Sequence, residues 1–353
     1  MRSIIVVMGF GDYDMLRWIS LLSVMLLCGF LYAQQEQPKN QPKWETDWKR
    51  GLEEAKERKV PILIVIPSRQ GSQGPIIYPK VLDDAQVVQA CENFVCFIAD
   101  DKRFPEIEKR IAAEYHKGKY GFYGQQLQII FCRPDGEELE KYHLVGDINR
   151  GQVTTAMTEV LKLYPDAVPK SKFDKCRKLR DLAELFRTEL AFGFAIKKYK
   201  ELAEQKVKLE MVELAADKEK ELLEEASKKI EEAEKLLGSQ DEVDRREAFK
   251  RLVRLKVGTE GFKEQQEKVI ELIGKAKQDA SIKSTVDEAG NYERAFREFL
   301  KAEEEFLDGD LQKAYGIYKR ITKNFGRTEF AERAEKRAKE IEDIIIRAQQ
   351  GKK

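Results

Sequence analysis

Five cysteines and two histidines are the residues of this 353-residue chain that could carry redox, nucleophilic or metal chemistry. Dithiol exchange needs two thiols separated by two residues at a helix N-terminus, where the helix dipole lowers the first pKa and the second thiol resolves the mixed disulfide. Cys91 and Cys96 come nearest, but they stand five apart, at a helix end and in the strand-like run FVCFIA, which suits structural or free thiols. The catalytic alternative is a thiol-disulfide oxidoreductase or isomerase using Cys91 or Cys96 in an unorthodox way. His116 and His143 have no Cys/His spacing suited to zinc, so no metal site and no cofactor are expected. Gly118, Gly121 and Gly124 follow a helix and precede a strand, the reverse of a phosphate-binding loop. There is no GxSxG, and no serine has a histidine placed by motif. The expectation is a chain without catalytic residues. One loop suits binding instead: Lys117 to Gln126 interleaves Tyr120, Phe122 and Tyr123 with glycines, and aromatics on adaptable backbone anchor partners well. The competing role for these rings is packing inside the domain or against the helical region.

The elements that would position such groups begin after an export signal. Residues 1–33 read as a signal peptide: Arg17 directly precedes the apolar run Trp18–Ala33, which is too short to span a bilayer, and Leu31-Tyr32-Ala33 offers a cleavage site before Gln34. A better-shaped signal starts at Met15, leaving residues 1–14 as a mis-assigned start. Cys28 follows Leu27 where a lipoprotein signal wants a small residue, and membrane contact is expected only through this segment if it stays uncleaved. The implied location is exported: periplasm or cell envelope, with secretion as the alternative. In an oxidising compartment Cys91, Cys96, Cys132 and Cys176 could pair, in any of three connectivities, or stay as buried thiols. Lys+Arg 64 against Asp+Glu 63 leaves no long-range attraction for nucleic acid.

Residues 34–43 read as a linker, and 44–164 as an α/β domain. Trp44, Trp48, Leu52 and Ala55 recur at helical spacing, and Val60–Pro67 is a continuous β-branched run of the kind buried on both faces. A loop from Ser68 to Pro75 leads into a helix ending near Ala90. Phe94–Ala99 is a second strand, Glu106–Tyr115 a helix, and Leu127–Cys132 a third strand. The turn Pro134-Asp135-Gly136 then returns the chain along Glu138–Val145, before a last helix over Val153–Leu163. The expected fold is a central mixed sheet with helices on both faces.

This order, with Trp48, Ala55-Lys56, Lys59-Val60-Pro61, Val81-Leu82-Asp83-Asp84, Asn93-Phe94-Val95, Asp100, Asp135-Gly136 and Gly146, resembles the thioredoxin-like superfamily over residues 44–164. The resemblance implies a CxxC motif at Gly71-Ser72-Gln73-Gly74 and a cis-proline near Gln126, and neither is present. A non-proline cis bond costs about 2.5–4 kcal/mol, so that peptide is expected to be trans. The resemblance thus implies a domain that has lost dithiol chemistry, while Gly71–Gly74 and the loop of Tyr120, Phe122 and Tyr123 lie on the face that family members use to grip extended peptides.

Residues 172–349 contain no proline and read as helices joined by short turns. Ala215, Leu222, Ala226, Ile230, Ala233 and Leu237 form a narrow stripe suited to a helical hairpin or coiled coil, which leaves self-association open. Glu224–Lys228, Glu225–Lys229 and Glu231–Lys235 are favourable i,i+4 pairs. The clearest hairpins span 292–345, broken at Gly309-Asp310 and turned at Gly326-Arg327-Thr328. With Ala302, Leu311, Ala314 and Tyr318, this stretch resembles a tetratricopeptide repeat. A fainter echo lies at Ala248-Phe249, Leu252, Leu255, Phe262 and Ile270. The resemblances together imply an exported, non-catalytic interaction or scaffold protein with a protein or peptide partner.

Overall fold

The computed structural model describes residues 42–69, 76–77, 79–115 and 126–350. They divide at Lys283/Ser284 into two compact units, one beginning at Asn40 and the other holding the chain from Ser284 onward. The architecture is mixed α/β with a small sheet and many helices. Among the described residues no helix is long and apolar enough to cross a membrane. The expected export signal at 1–33 lies outside the described residues.

In the first unit, Asp47 accepts a hydrogen bond from the Arg50 amide at 2.8 Å and starts helix α1 (Trp48–Arg58), which ends at the left-handed residue Lys59. Trp44 does not join that helix as its spacing predicts. The Asp47 cap fixes the start beyond it, and Trp44 pairs with Cys96 in an isolated parallel bridge, with the Glu45 amide 2.8 Å from the Cys96 carbonyl. The β-branched run forms β1 (Ile62–Ile66), every residue of which is buried. Strands β2 (Ser68–Arg69) and β3 (Ile76–Ile77) form a small antiparallel ribbon beyond it. Helix α2 (Ala85–Cys91), strand β4 (Val95–Ile98), helix α3 (Pro105–Tyr115), strands β5 (Gln128–Cys132) and β6 (Leu144–Val145), and helix α4 (Arg150–Leu161) complete the layers.

The sheet runs β4-β1-β5-β6, with β4 parallel and β5 antiparallel to β1. Period-two alternation sends Leu63, Val65, Cys96, Ile98, Ile129 and Phe131 to the face covered by α2 and α4. Ile62, Ile64, Ile66, Phe97 and Ile130 go to the face holding Ala55 of α1 and Ile107 and Ile111 of α3. Gly51 permits the α1 contact: a Cβ there would come within 2.3 Å of the Phe97 ring, on which Trp48 also packs at 4.7 Å between centroids. The return arm of the expected hairpin is shorter than predicted. Gly136 (φ 94°) makes the turn, but the chain pairs only at Glu138 before a 3-10 turn at Glu140–Tyr142 and resumes as the two-residue β6.

Helices α5 (Lys170–Thr188), α6 (Phe192–Ala203), α7 (Glu210–Ala215), α8 (Lys218–Leu237), α9 (Glu242–Gly258) and α10 (Lys263–Ala276) follow in the same unit. The predicted break between 164 and 172 therefore falls inside one compact body. Arg58, wholly buried, explains the junction: its guanidinium donates to Glu54 (2.8 Å) and to the carbonyls of Val168 (3.0 Å), Phe94 (3.2 Å) and Glu92 (2.5 Å). Lys170, opening α5, reaches the other Glu54 oxygen at 2.6 Å. Leu190, at φ 63°, turns α5 into α6, and Gly258 lets α9 cross that turn, where a Cβ would stand 1.8 Å from the Leu190 carbonyl oxygen. The stripe from Ala215 to Ala233 is buried within the chain. Glu225 meets Arg187 of α5 at 2.6 Å and Lys229 meets Glu232 at 2.8 Å, so the i,i+4 partner expected between them gives way to longer-range and i,i+3 pairs. In the fainter echo Ile270 is half exposed, its inward place taken by Val269 and Leu272.

From Ser284 onward, α11 (Lys283–Asp287) leads into α12 (Ala289–Asp308), α13 (Leu311–Asn324) and α14 (Glu329–Gln350). Gly309 (φ 82°) closes α12 in the left-handed region, and Asp310 accepts from the Lys313 amide to open α13. Phe296, Phe299 and Phe330 stack at the centre, with centroid separations of 5.3 and 5.6 Å. Beside them Glu303, 1% exposed, accepts from the Tyr318 hydroxyl and, through both oxygens, from Arg337, all at 2.9 Å.

Candidate functional site

A cleft of about 480 Å³ opens at the end of the sheet where β1 finishes and β5 begins. The chain leaving β1 supplies Ser68. The segment entering α2 supplies Pro79, Lys80 and Val81, held by a turn in which the Leu82 amide donates to the Pro79 carbonyl at 3.0 Å. Gln126 and Leu127, just before β5, form the opposite wall. Gly146, Asp147 and Ile148 close the cleft as the chain passes from β6 to α4, with Ile148 buried at its base. Gly146 takes φ 95° there, and its amide donates to the Leu127 carbonyl at 2.9 Å, which ties two walls together. At φ 95° an L side chain is strained, so glycine suits this turn.

Two helix starts converge below. Asp84 accepts from the Gln86 amide at 2.9 Å, and Asn149 forms a reciprocal capping box with Gln152. Arg150 joins the two caps, reaching Asp84 at 3.5 Å. The cleft thus has an apolar base (Val81, Leu127, Ile148), a polar rim (Ser68, Lys80, Gln126, Asp147) and irregular backbone. None of these lining residues carries a thiol or an imidazole. This composition fits noncovalent capture of a polar-backboned, partly apolar ligand, in the size range of known ligand sites.

Of the residues singled out in the sequence, Gln126 lies in this cleft and is exposed. Gly71, Ser72, Gln73, Gly74, Tyr120, Phe122, Tyr123 and His116 lie outside the described residues. No peptide bond among the described residues is cis. Lys80 and Asp147 were not singled out by sequence reasoning; their only signal is adjacency to Pro79 and to Gly146, one of the fold markers.

The cysteines are elsewhere. Cys91, Cys96, Cys132 and Cys176 are all buried and unbridged. The interaction with the Cys91 thiol, together with burial, pushes the Cys96 thiol well above its ordinary pKa, which makes it a poor nucleophile. Burial likewise raises Cys176. His143 has a buried side chain with Nδ1 3.2 Å from Glu138 Oε1. Among the described residues no group of three or more His, Cys, Asp or Glu is arranged to hold a metal ion. The second unit has a smaller concavity of about 370 Å³, between Glu288 just before α12, Asn291 within it and the turn from Asn324 to Thr328.

No protein-family model, curated protein or solved structure matches the chain.

Proposed function

We propose that this chain is an exported, non-catalytic interaction or scaffold protein of the cell envelope. It would combine a thioredoxin-like domain that has lost its redox pair with a helical region of tetratricopeptide type. The cleft at Ser68, Lys80, Gln126 and Asp147 carries this reading. This end of the sheet is taken as the counterpart of the redox-loop end in the resembled family, and the lining offers polar and apolar binding groups but neither a thiol nor an imidazole. Its ligand would be an extended polypeptide segment, gripped between the Gly71–Gly74 loop and the rings of Tyr120, Phe122 and Tyr123. Complete burial of Ala302, Ala314 and Tyr318, with the left-handed Gly309 between the helices, supports the repeat reading of the second unit.

The test is a panel of labelled extended peptides titrated by fluorescence anisotropy. Paired substitutions Lys80→Glu and Val81→Glu, and separately the three rings to Ala, are expected to weaken binding at least about tenfold, or about 1.4 kcal/mol, with unchanged melting. Unaltered affinity, or no peptide bound by the parent chain, overturns the peptide site. Insulin reduction abolished by Cys91→Ser would overturn the non-catalytic half.

A further inference from the structure

The buried thiols at the end of α2 and in β4 have no role in the cleft, yet they are placed on one another. After Cys91 the chain reverses tightly: the Asn93 amide donates to the Ala90 carbonyl and the Phe94 amide to the Cys91 carbonyl, both at 3.0 Å. The reversal brings Cys96 back beneath α2 on the same sheet face, in the same apolar cluster as Cys91. The Cys96 thiol lies 3.9 Å from the Cys91 carbonyl oxygen and interacts directly with the Cys91 thiol. The fold also removes the competing connectivities. Cys132 belongs to the cluster on the opposite face of the sheet, and Cys176 is on α5, in neither cluster. Bridging Cys132 to Cys91 or Cys96 would require passing through the sheet, and Cys176 lies outside the cluster that holds both.

We propose that Cys91 and Cys96 close an intramolecular disulfide in an oxidising milieu, as a structural staple between α2 and the edge strand β4. The oxidant is a disulfide RSSR, from a small thiol such as glutathione or from a thiol-oxidising protein. Cys91, the more exposed of the pair at 6% against 3%, attacks one sulfur as its thiolate and releases one RSH, with its proton passing to the leaving sulfur. Cys96 then attacks the mixed disulfide at Cys91 and releases the second RSH. Two thiols lose two electrons and two protons, and RSSR gains both. A thiol of raised pKa is a poor leaving group, so the closed bond resists reduction, which suits a staple and opposes turnover. The reaction happens most readily as the chain folds, before the core covers both sulfurs. This inference is independent of the peptide-binding reading.

The experiment uses the full chain, reduced, unfolded and refolded in a reduced/oxidised glutathione buffer, then unfolded, alkylated and digested with trypsin. Both cysteines fall on one peptide, Val81–Lys102, because no Lys or Arg intervenes. The expected product is that peptide lighter by two hydrogen atoms and without alkyl groups, while Cys132 and Cys176 are alkylated. Refolding a chain carrying Cys132→Ser and Cys176→Ser is expected to give the same bridged peptide. Alkylation or glutathionylation of both Cys91 and Cys96, or a link from either to Cys132 or Cys176, overturns the proposal.

Discussion

Each compact unit holds a deeply buried charged side chain, Arg58 in the first and Glu303 in the second, and the two are satisfied in opposite ways. In the first, the fully buried Arg58 cation spends three of its four hydrogen bonds on main-chain carbonyls from the turn after α2 and from the segment before α5. In the second, the Glu303 anion is met only by side chains, Tyr318 of α13 and Arg337 of α14. Arg337 keeps a third of its side-chain surface in solvent, and Arg58 keeps none. A charge held by backbone fixes where distant chain segments run. One held by side chains fixes how three helices lean on each other, and Arg337 can recover water when it is lost.

The largest effect expected from breaking this contrast is at Arg58→Met. The Val168 and Phe94 carbonyls lose this donor inside the core, and the Glu92 carbonyl and Glu54 are left with Lys170, a loss of about 3–5 kcal/mol, read from urea unfolding followed by fluorescence of Trp44 and Trp48. Glu303→Gln is expected to lose less, about 1–3 kcal/mol, read from hydrogen exchange across α12 and α14. Equal losses would erase the distinction. A smaller, pH-dependent effect sharpens it. Burial pushes the Glu54 carboxyl up, but the hydrogen bonds and charges of Lys170 and Arg58 prevail and hold it below its usual value. A depressed carboxylate stabilises above its unfolded pKa, about 4.3, and that contribution fades as pH falls through the folded value. Glu54→Gln should therefore lower stability at neutral pH and flatten the decline below about pH 4.3, and an unchanged acid limb would show that Glu54 is not its source.

Both ions stand on apolar stripes, which is where the sequence did signal them. Arg58 falls three residues after Ala55 in the series Trp48, Leu52, Ala55, and Glu303 falls four after Phe299 and three before Phe306. Local composition concealed them: Arg58 sits among charged neighbours at a helix end and Glu303 in an acidic run, both of which read as solvated faces. The strands and hairpins were legible because their signals are local, as in the unbroken run of β1 and the Gly309-Asp310 break. Trp44 was misread because helical spacing ignores the Asp47 cap. The β6 arm was overextended because a turn motif specifies the reversal but not how far pairing continues. Gln126 and Gly146, both named from the sequence, line the cleft, whereas Asp147 acquires its place through the long-range bond of Gly146 to Leu127 and Lys80 through the turn of Leu82 on Pro79.

The Arg58 clamp also bears on modularity. Its side chain donates to the Val168 carbonyl while the Val168 amide donates to the Arg58 carbonyl at 2.9 Å, so the sheet layer and the first long helix are spliced by a reciprocal main-chain stitch. An excision at residue 164 would cut that stitch and strand a guanidinium in the interior. A cut at this joint is penalised, so the sheet with its adjoining helices is expected to fold as one piece, whereas the chain after Lys283 is free of this particular bond.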